Sequence, residues 1–109
     1  MTLYLGRGKY SAEGLKGLVA KPEDRTAAIK ALYEAAGAKV LHLWFSGSTG
    51  DAIVIVEGSQ TAGMALQAAL GASGALRETS AEELLTPAQQ MEAMKVASNV
   101  VSKYRPPGK

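Results

Sequence analysis

The stretch KVLHLWFSGSTGDAIVIVE, residues 39–57, predicts a β-hairpin, and the rest of the fold can be worked out from it in both directions. Residues 39–45 and 52–57 are rich in large apolar, aromatic and β-branched residues, and the loop at 46–50 holds two glycines. Two such strands joined by a short Gly/Ser loop are typical of antiparallel pairing. Because the second strand is apolar on both faces, we predict that it lies inside the sheet.

A strand and a helix flank the hairpin on each side. Residues 2–9 alternate as a strand does, and residues 22–36 carry an apolar stripe at helical spacing that ends at Gly37. After the hairpin, residues 61–70 predict a second helix and residues 75–79 a fourth strand. The order β, α, β, β, α, β predicts an α+β fold of the ferredoxin-like type with an antiparallel sheet.

Local signals refine these boundaries. Ser11 is a candidate cap for a single helical turn, and Gly71 suits the end of the second helix. The run that begins at Ser80, Ser-Ala-Glu-Glu, resembles a capping box and predicts a further helical turn. Gly6 and Gly8 within the first strand indicate a close approach or a bulge.

The C-terminal region predicts an added helix. Thr86 can cap it, Pro87 suits its first position, and Gln89 can complete a capping box, so we predict a helix from Pro87 to about Tyr104. Nothing in the preceding core requires this helix, so we expect it to pack across the domain or against a neighbouring subunit. The chain then divides into a ferredoxin-like domain at 1–86, the helix at 87–105 and a tail at 106–109.

The composition excludes several classes of chemistry. The chain has no cysteine, which excludes disulfides, thiol catalysis and thiolate metal sites. His42 is the single histidine, so one chain cannot form a two-histidine metal site, and we predict neither a metal nor a cofactor. The N-terminus does not resemble a signal peptide, and no apolar run spans a bilayer, which favours a cytoplasmic protein without membrane contact.

The charge balance gives little support to nucleic-acid binding. The net charge is +2, and four of the basic residues lie close to the C-terminus, at Lys95, Lys103, Arg105 and Lys109. No aromatic stripe accompanies them. We interpret this region as a solvated terminus rather than a nucleic-acid interface.

A ferredoxin-like sheet has helices on one face only, and the other face must be solvated or covered. Strict alternation divides the second strand into one face with Val40, His42 and Trp44 and another with Leu41, Leu43 and Phe45. Either choice leaves large apolar side chains uncovered. The simplest cover is the sheet of an identical subunit, which predicts a homodimeric α+β barrel.

Several motifs carry a resemblance to a known family. In chain order they are Tyr10-Ser-Ala-Glu-Gly-Leu-Lys16, Arg25, Ala28-Ile-Lys-Ala-Leu32, Gly37-Ala-Lys-Val40, Gly50-Asp-Ala-Ile-Val-Ile-Val-Glu57 and Leu70-Gly-Ala-Ser-Gly-Ala-Leu-Arg77. Over about residues 5–86 the chain resembles the GYD-domain family, small bacterial proteins of the dimeric α+β-barrel superfamily. The naming tripeptide departs from the family pattern, because Gly50 stands where the family has a tyrosine. The resemblance implies fold and dimerisation, since the family has no settled activity, and the helix from Pro87 falls largely outside its pattern.

Four residues are candidates for a functional site. His42 is a candidate base or haem ligand, and otherwise a histidine hydrogen-bonded in the sheet or the interface. Trp44 can wall an apolar ligand or belong to the interface, and Tyr4 is a candidate to bring a hydroxyl to the same face. Asp51, after Gly50, is a candidate general base or cation ligand, or it hydrogen-bonds its own turn.

Two kinds of function fit these residues. The first is a homodimeric module that holds a small apolar molecule between the two sheets or serves as an assembly part. The second is a small enzyme of the cofactor-free monooxygenase or isomerase type, or a haem-binding one, which rests on analogy with the superfamily. The predicted partners are a second copy of the chain and a small apolar ligand.

Overall fold

A computed structural model describes residues 2–109 of the chain. Its elements, in chain order, are β1 (Thr2–Tyr10), α1 (Ala12–Ala20), α2 (Thr26–Ala35), β2 (Lys39–Phe45), β3 (Ala52–Gly58), α3 (Gln60–Ala72), β4 (Leu76–Leu84), α4 (Pro87–Val100) and a 3-10 turn (Val101–Lys103). Within these residues four strands form one antiparallel sheet of order β2-β3-β1-β4. This confirms the predicted ferredoxin-like α+β fold with an added C-terminal helix.

The sheet has a covered face and an open face. Helices α2 and α3 pack on the covered face, and the buried core there consists of Tyr33, Ala38, Val40, Val54, Val56, Ala62 and Leu66. The strand register assigns the side chains of the open face, which include Leu3, Leu5, His42, Trp44, Ile53 and Ile55. Successive side chains of a strand point to opposite faces, so β1 alternates between the two.

A β-bulge in β2 corrects the strict alternation expected from the sequence. Val40 lies opposite Val56 and faces the core, whereas His42 lies opposite Ile55, and the register shifts between the two β2 residues. Leu41 is the extra residue of the bulge, so the β2 residues after it point to the faces opposite to those that strict alternation predicts. Val40 therefore shares the covered face with the core, and His42 lies on the open face.

Two helix starts differ from the prediction. The single turn expected after Ser11 is the nine-residue helix α1. Helix α2 begins at Thr26 rather than Pro22, because Asp24 Oδ1 accepts a hydrogen bond from Thr26 N at 2.8 Å and forms a turn before the helix. Gly37 has a φ of 83° and ends this helical segment as predicted.

The second half of the domain differs from the prediction at two boundaries. Helix α3 continues through Gly71, and the left-handed residue that follows it is Gly74, with a φ of 78°. Strand β4 continues to Leu84 because it pairs with β1 along its length, as in the pair Leu3 and Leu84. The helical turn predicted from Ser80 is therefore wrong, since strand pairing overrides the local capping pattern.

The C-terminal arm, residues 87–103, extends away from the domain. Thr86 and Gln89 form the predicted capping box, yet none of the 14 residues of α4 is buried. The radius of gyration is 18.1 Å, against about 13 Å for a compact chain of this length. The helix does not lie across its own domain, and contact with a neighbouring subunit stays a prediction. No helix within residues 2–109 combines the length and the hydropathy that crossing a membrane requires.

Candidate functional site

A cavity of about 220 Å³ lies between the helices and the covered face of the sheet. Most of its wall is apolar, with Ala28, Ile29 and Leu32 from α2, Val54 from β3 and Leu70 from α3. For scale, a cavity of about 150 Å³ lined by aliphatic and aromatic side chains binds benzene. The cavity therefore has room for a molecule somewhat larger than one aromatic ring.

Two glycines of β1 form the floor of the cavity. A Cβ atom on Gly6 would lie 2.8 Å from Val54 Cγ2 and 3.8 Å from the Tyr33 hydroxyl, and one on Gly8 would lie 3.1 Å from Leu76 Cδ1. Larger residues at these positions would displace the side chains that now form the walls. The close approach predicted at these glycines is therefore made by the side chains of Val54 and Leu76, which pack against the backbone of β1.

The polar residues of the lining can all donate hydrogen bonds. They are Arg7, Tyr10, Arg25, Tyr33, Gln67, Ser73 and Thr79. Burial raises the pKa of Tyr33, and burial also raises the pKa of Tyr10, against the opposing effect of the Arg25 charge. Both phenols are therefore protonated at neutral pH and can donate hydrogen bonds. Among residues 2–109, no aspartate, glutamate or histidine lines this space.

Two of the motifs that carry the family resemblance meet at one end of the cavity. Ser11 Oγ accepts a hydrogen bond from Gly14 N at 3.1 Å and donates one to the Gly74 carbonyl oxygen at 2.7 Å. A Cβ atom on Gly14 would collide with the carbonyl oxygen of Ala75, so a glycine is needed where α1 crosses the α3–β4 loop. This contact fixes Tyr10 and the loop, both of which line the cavity.

Asp51 is buried in an ion cluster at the hairpin end of the sheet. Its side chain is 4% exposed, and its Oδ2 accepts hydrogen bonds from Lys9 Nζ at 2.9 Å and from Arg7 Nη1 at 3.0 Å. The hydrogen bond from Lys9 holds the pKa of Asp51 below its ordinary value, with help from Arg7 and against the effect of desolvation. A carboxylate with a lowered pKa is a weak proton acceptor at neutral pH. The turn before it is held by the Asp51 backbone, which donates to Thr49 Oγ1 at 3.3 Å.

The three ligand-binding candidates from the sequence do not lie together. His42 and Trp44 stack on the open face with ring centroids 4.8 Å apart and planes 6° apart, and Trp44 is 57% exposed. Tyr4 lies opposite Val56 and packs against the core, so it belongs to the covered face. The expectation that Tyr4 joins the other two is therefore wrong, and the β2 bulge is part of the reason. None of the three is among the described residues that line the cavity.

The residues that do line the cavity were largely missed by reasoning from sequence. Tyr10 and Arg25 stood in the family motifs, and Gly6 and Gly8 stood out within a strand, but no spacing rule connected these four positions. Only the register of β1 with β3 places the two glycines on the covered face, with Gly6 opposite Val54 and Gly8 opposite Ala52. The remaining signal was the unusual presence of two glycines in a central strand.

The comparisons with known proteins agree with this architecture. The model of the GYD domain matches residues 4–94. The match runs past residue 86 into the first half of α4, further than the sequence motifs extend. No curated protein matches the chain. Within residues 2–109, no three histidine, aspartate or glutamate side chains converge as metal ligands would.

Proposed function

The chain belongs to the GYD domain family, and we propose that it is a binding protein that holds a small, mainly apolar molecule in the cavity between its helices and its sheet. The observation that carries this proposal is the cavity of about 220 Å³ with its apolar wall and few polar groups. Small-molecule sites usually combine an apolar lining with a small number of placed polar groups.

The proposed site lies on the covered face of the sheet, whereas the sequence favoured a site on the open face. The sequence favoured the space between two sheets, beside His42 and Trp44. The helix-side cavity supports a site within one subunit, because α2, α3 and the sheet of a single chain line it. A ligand there would gain roughly 25 cal/mol for each Å² of apolar surface that leaves water.

A cavity-filling substitution tests the proposal. Ala28 and Ala27 are neighbouring, exposed residues of α2, and only Ala28 lines the cavity, so Ala28→Phe and Ala27→Phe form a matched pair. With phenylacetamide as a neutral probe, amide chemical shifts of Gly6, Gly8 and Ile29 should move in the wild type and in Ala27→Phe but not in Ala28→Phe. Shifts that persist in Ala28→Phe, or that never occur in the wild type, contradict the proposal.

The alternative to binding is catalysis in the same cavity. The alternative function, a small enzyme acting on an apolar substrate, would have to use the cavity's tyrosines, because His42 and Asp51 lie outside the described lining. Both tyrosines have a raised pKa, so at neutral pH they stay protonated, cannot abstract a proton and are weak general acids. We therefore favour binding over catalysis.

We further propose that the protein is a homodimer in which a second copy covers the open face. The chain exposes 7700 Å², against about 5,700 Å² expected for a compact monomer of 11.3 kDa. The extra surface includes the open face and the C-terminal arm, where Met91, Met94, Val100 and Val101 are exposed. An isolated helix of 14 residues is marginal in water, so α4 needs a packing partner.

The charges on the open face suit contact with an identical copy. Arg7 and Lys9 are neutralised in part by Asp51, and Lys39 lies opposite Glu57 at the other end. A two-fold interface brings the same patch of both subunits together, so a patch with one dominant charge would repel itself. Sedimentation equilibrium at micromolar concentration tests the dimer, and a stable monomer would contradict it.

A further inference from the structure

Arg25 gives the cavity a positive charge that no acidic side chain inside it balances. The guanidinium pairs instead with Glu23 outside, through Nη1 and Oε1 at 2.8 Å, and the two side chains are 39% and 47% exposed. Arg7 also contributes to the wall, but its guanidinium pairs with Asp51. Within residues 2–109 the lining holds no aspartate or glutamate.

The groups around Arg25 are suited to an anionic oxygen. The phenol of Tyr10 is close enough to feel the charge of Arg25, and Tyr33 places a second hydroxyl over Gly6. Both phenols are protonated, so Tyr10 can donate a hydrogen bond beside the guanidinium and Tyr33 can donate one further inside the cavity, over Gly6. A guanidinium matches a planar carboxylate with two parallel hydrogen bonds, which a neutral ligand cannot reproduce.

We propose that the ligand is a small apolar carboxylic acid, bound as its anion. Its carboxylate lies on Arg25 and Tyr10 at the cavity mouth, and its apolar body lies over Gly6 and Gly8 beneath Ile29. This inference rests on the proposed binding function and adds the chemical class of the ligand. Glu23 holds the guanidinium in the absence of ligand, and because exposed ion pairs are weak, the carboxylate of a ligand whose apolar body fills the cavity displaces it.

A pair of probes that differ only in charge tests the inference by isothermal titration calorimetry at low salt. The wild type should bind phenylacetate about tenfold or more tightly than phenylacetamide, because a hydrogen bond to a charged group is stronger than a neutral one. Arg25→Gln should abolish this preference, chiefly by lowering the affinity for phenylacetate about tenfold or more. Glu23→Gln should raise the affinity for phenylacetate, because it removes the competing carboxylate.

Lys30→Gln is the matched control, because Lys30 lies in α2, which begins directly after Arg25, carries the same charge and is not part of the lining. It should keep the preference for phenylacetate. Equal binding of the two probes by the wild type, or a preference that survives Arg25→Gln, overturns the inference and leaves the binding function standing. If neither probe binds, the binding function fails and the inference fails with it.

Discussion

The two faces of one sheet are built in opposite ways. On the covered face, β1 presents Gly6 and Gly8, and the missing side chains leave a cavity beneath α2 and α3. On the open face, the same strand presents Leu3 and Leu5, whose side chains extend from the sheet toward solvent. A cavity requires small residues enclosed by large ones, whereas an interface requires large residues that protrude. This difference is the basis for proposing ligand binding on the covered face and self-association through the open face.

The largest expected effect is on association through the open face. Ile55 lies between Leu5 and His42 in the register, so Ile55→Glu would place an unpaired carboxylate in the middle of the proposed interface. The dissociation constant of the dimer should rise by about a hundredfold or more. Sedimentation equilibrium measures it, and Ala65→Glu on the exposed side of α3 is the control. If the Ile55→Glu protein dimerises like the wild type, the open face is not the dimer interface.

The next effect concerns the glycine floor of the covered face. Gly6→Ala should lower the free energy of unfolding by about 1–3 kcal/mol, because the new Cβ crowds Val54. Gly63→Ala is the matched control, since Gly63 lies within α3 with open space around it, and it should raise stability by about 0.5–1 kcal/mol. Urea unfolding measures both. A neutral Gly6→Ala would mean that the floor is not packed as described.

Removal of the C-terminal arm should have a smaller effect, and only on association. A chain that ends at Leu85 keeps the whole core, because none of the residues of α4 is buried. Its dimer should be weaker by about tenfold, as expected for an arm that adds contacts at the rim of an interface. Phenylacetamide binding should not change. Loss of cooperative unfolding in the truncated chain would show that the arm belongs to the domain itself.

The smallest expected effect is the pH dependence contributed by Asp51. Its pKa in the folded protein lies below the ordinary value of 3.8, so its stabilisation is complete above pH 3.8 and is lost as the pH falls through the lowered pKa. Asp51→Asn should remove this loss, which unfolding curves at pH 5 and at about pH 3 measure. Glu34→Gln, at an exposed position of α2 outside the ion cluster, is the control and should keep the wild-type difference between the two pH values. Identical pH dependence in Asp51→Asn and the wild type would contradict the role of the ion cluster.

The fold was more predictable than the site, and the reason is physical. Hairpin 39–57 carries periodicity and turn signals that depend only on neighbouring residues, so its strands begin and end close to the predicted positions. The β2 bulge at Leu41 depends on pairing with β3, and the length of β4 depends on pairing with β1. Local pattern contains neither of these tertiary constraints.

The cavity and the ion cluster depend on distant pairs. Asp51 meets Arg7 and Lys9 across 44 and 42 residues of sequence, and only the register of β1 with β3 aligns them. The cavity results from the absence of side chains at Gly6 and Gly8, and an absence has no periodicity to detect. Residues with evident chemistry, such as His42, directed the sequence interpretation to the open face, whereas the cavity lies on the covered face.

Intermolecular nuclear Overhauser effects between phenylacetamide and the protein test most directly which face of the sheet binds the ligand. The covered-face cavity predicts contacts from the aromatic protons of the probe to Ile29, Leu70 and the amide of Gly6, with none to Trp44. Contacts to the indole of Trp44 and the ring of His42, without contacts to Ile29 or Gly6, would place the ligand on the open face and contradict the account.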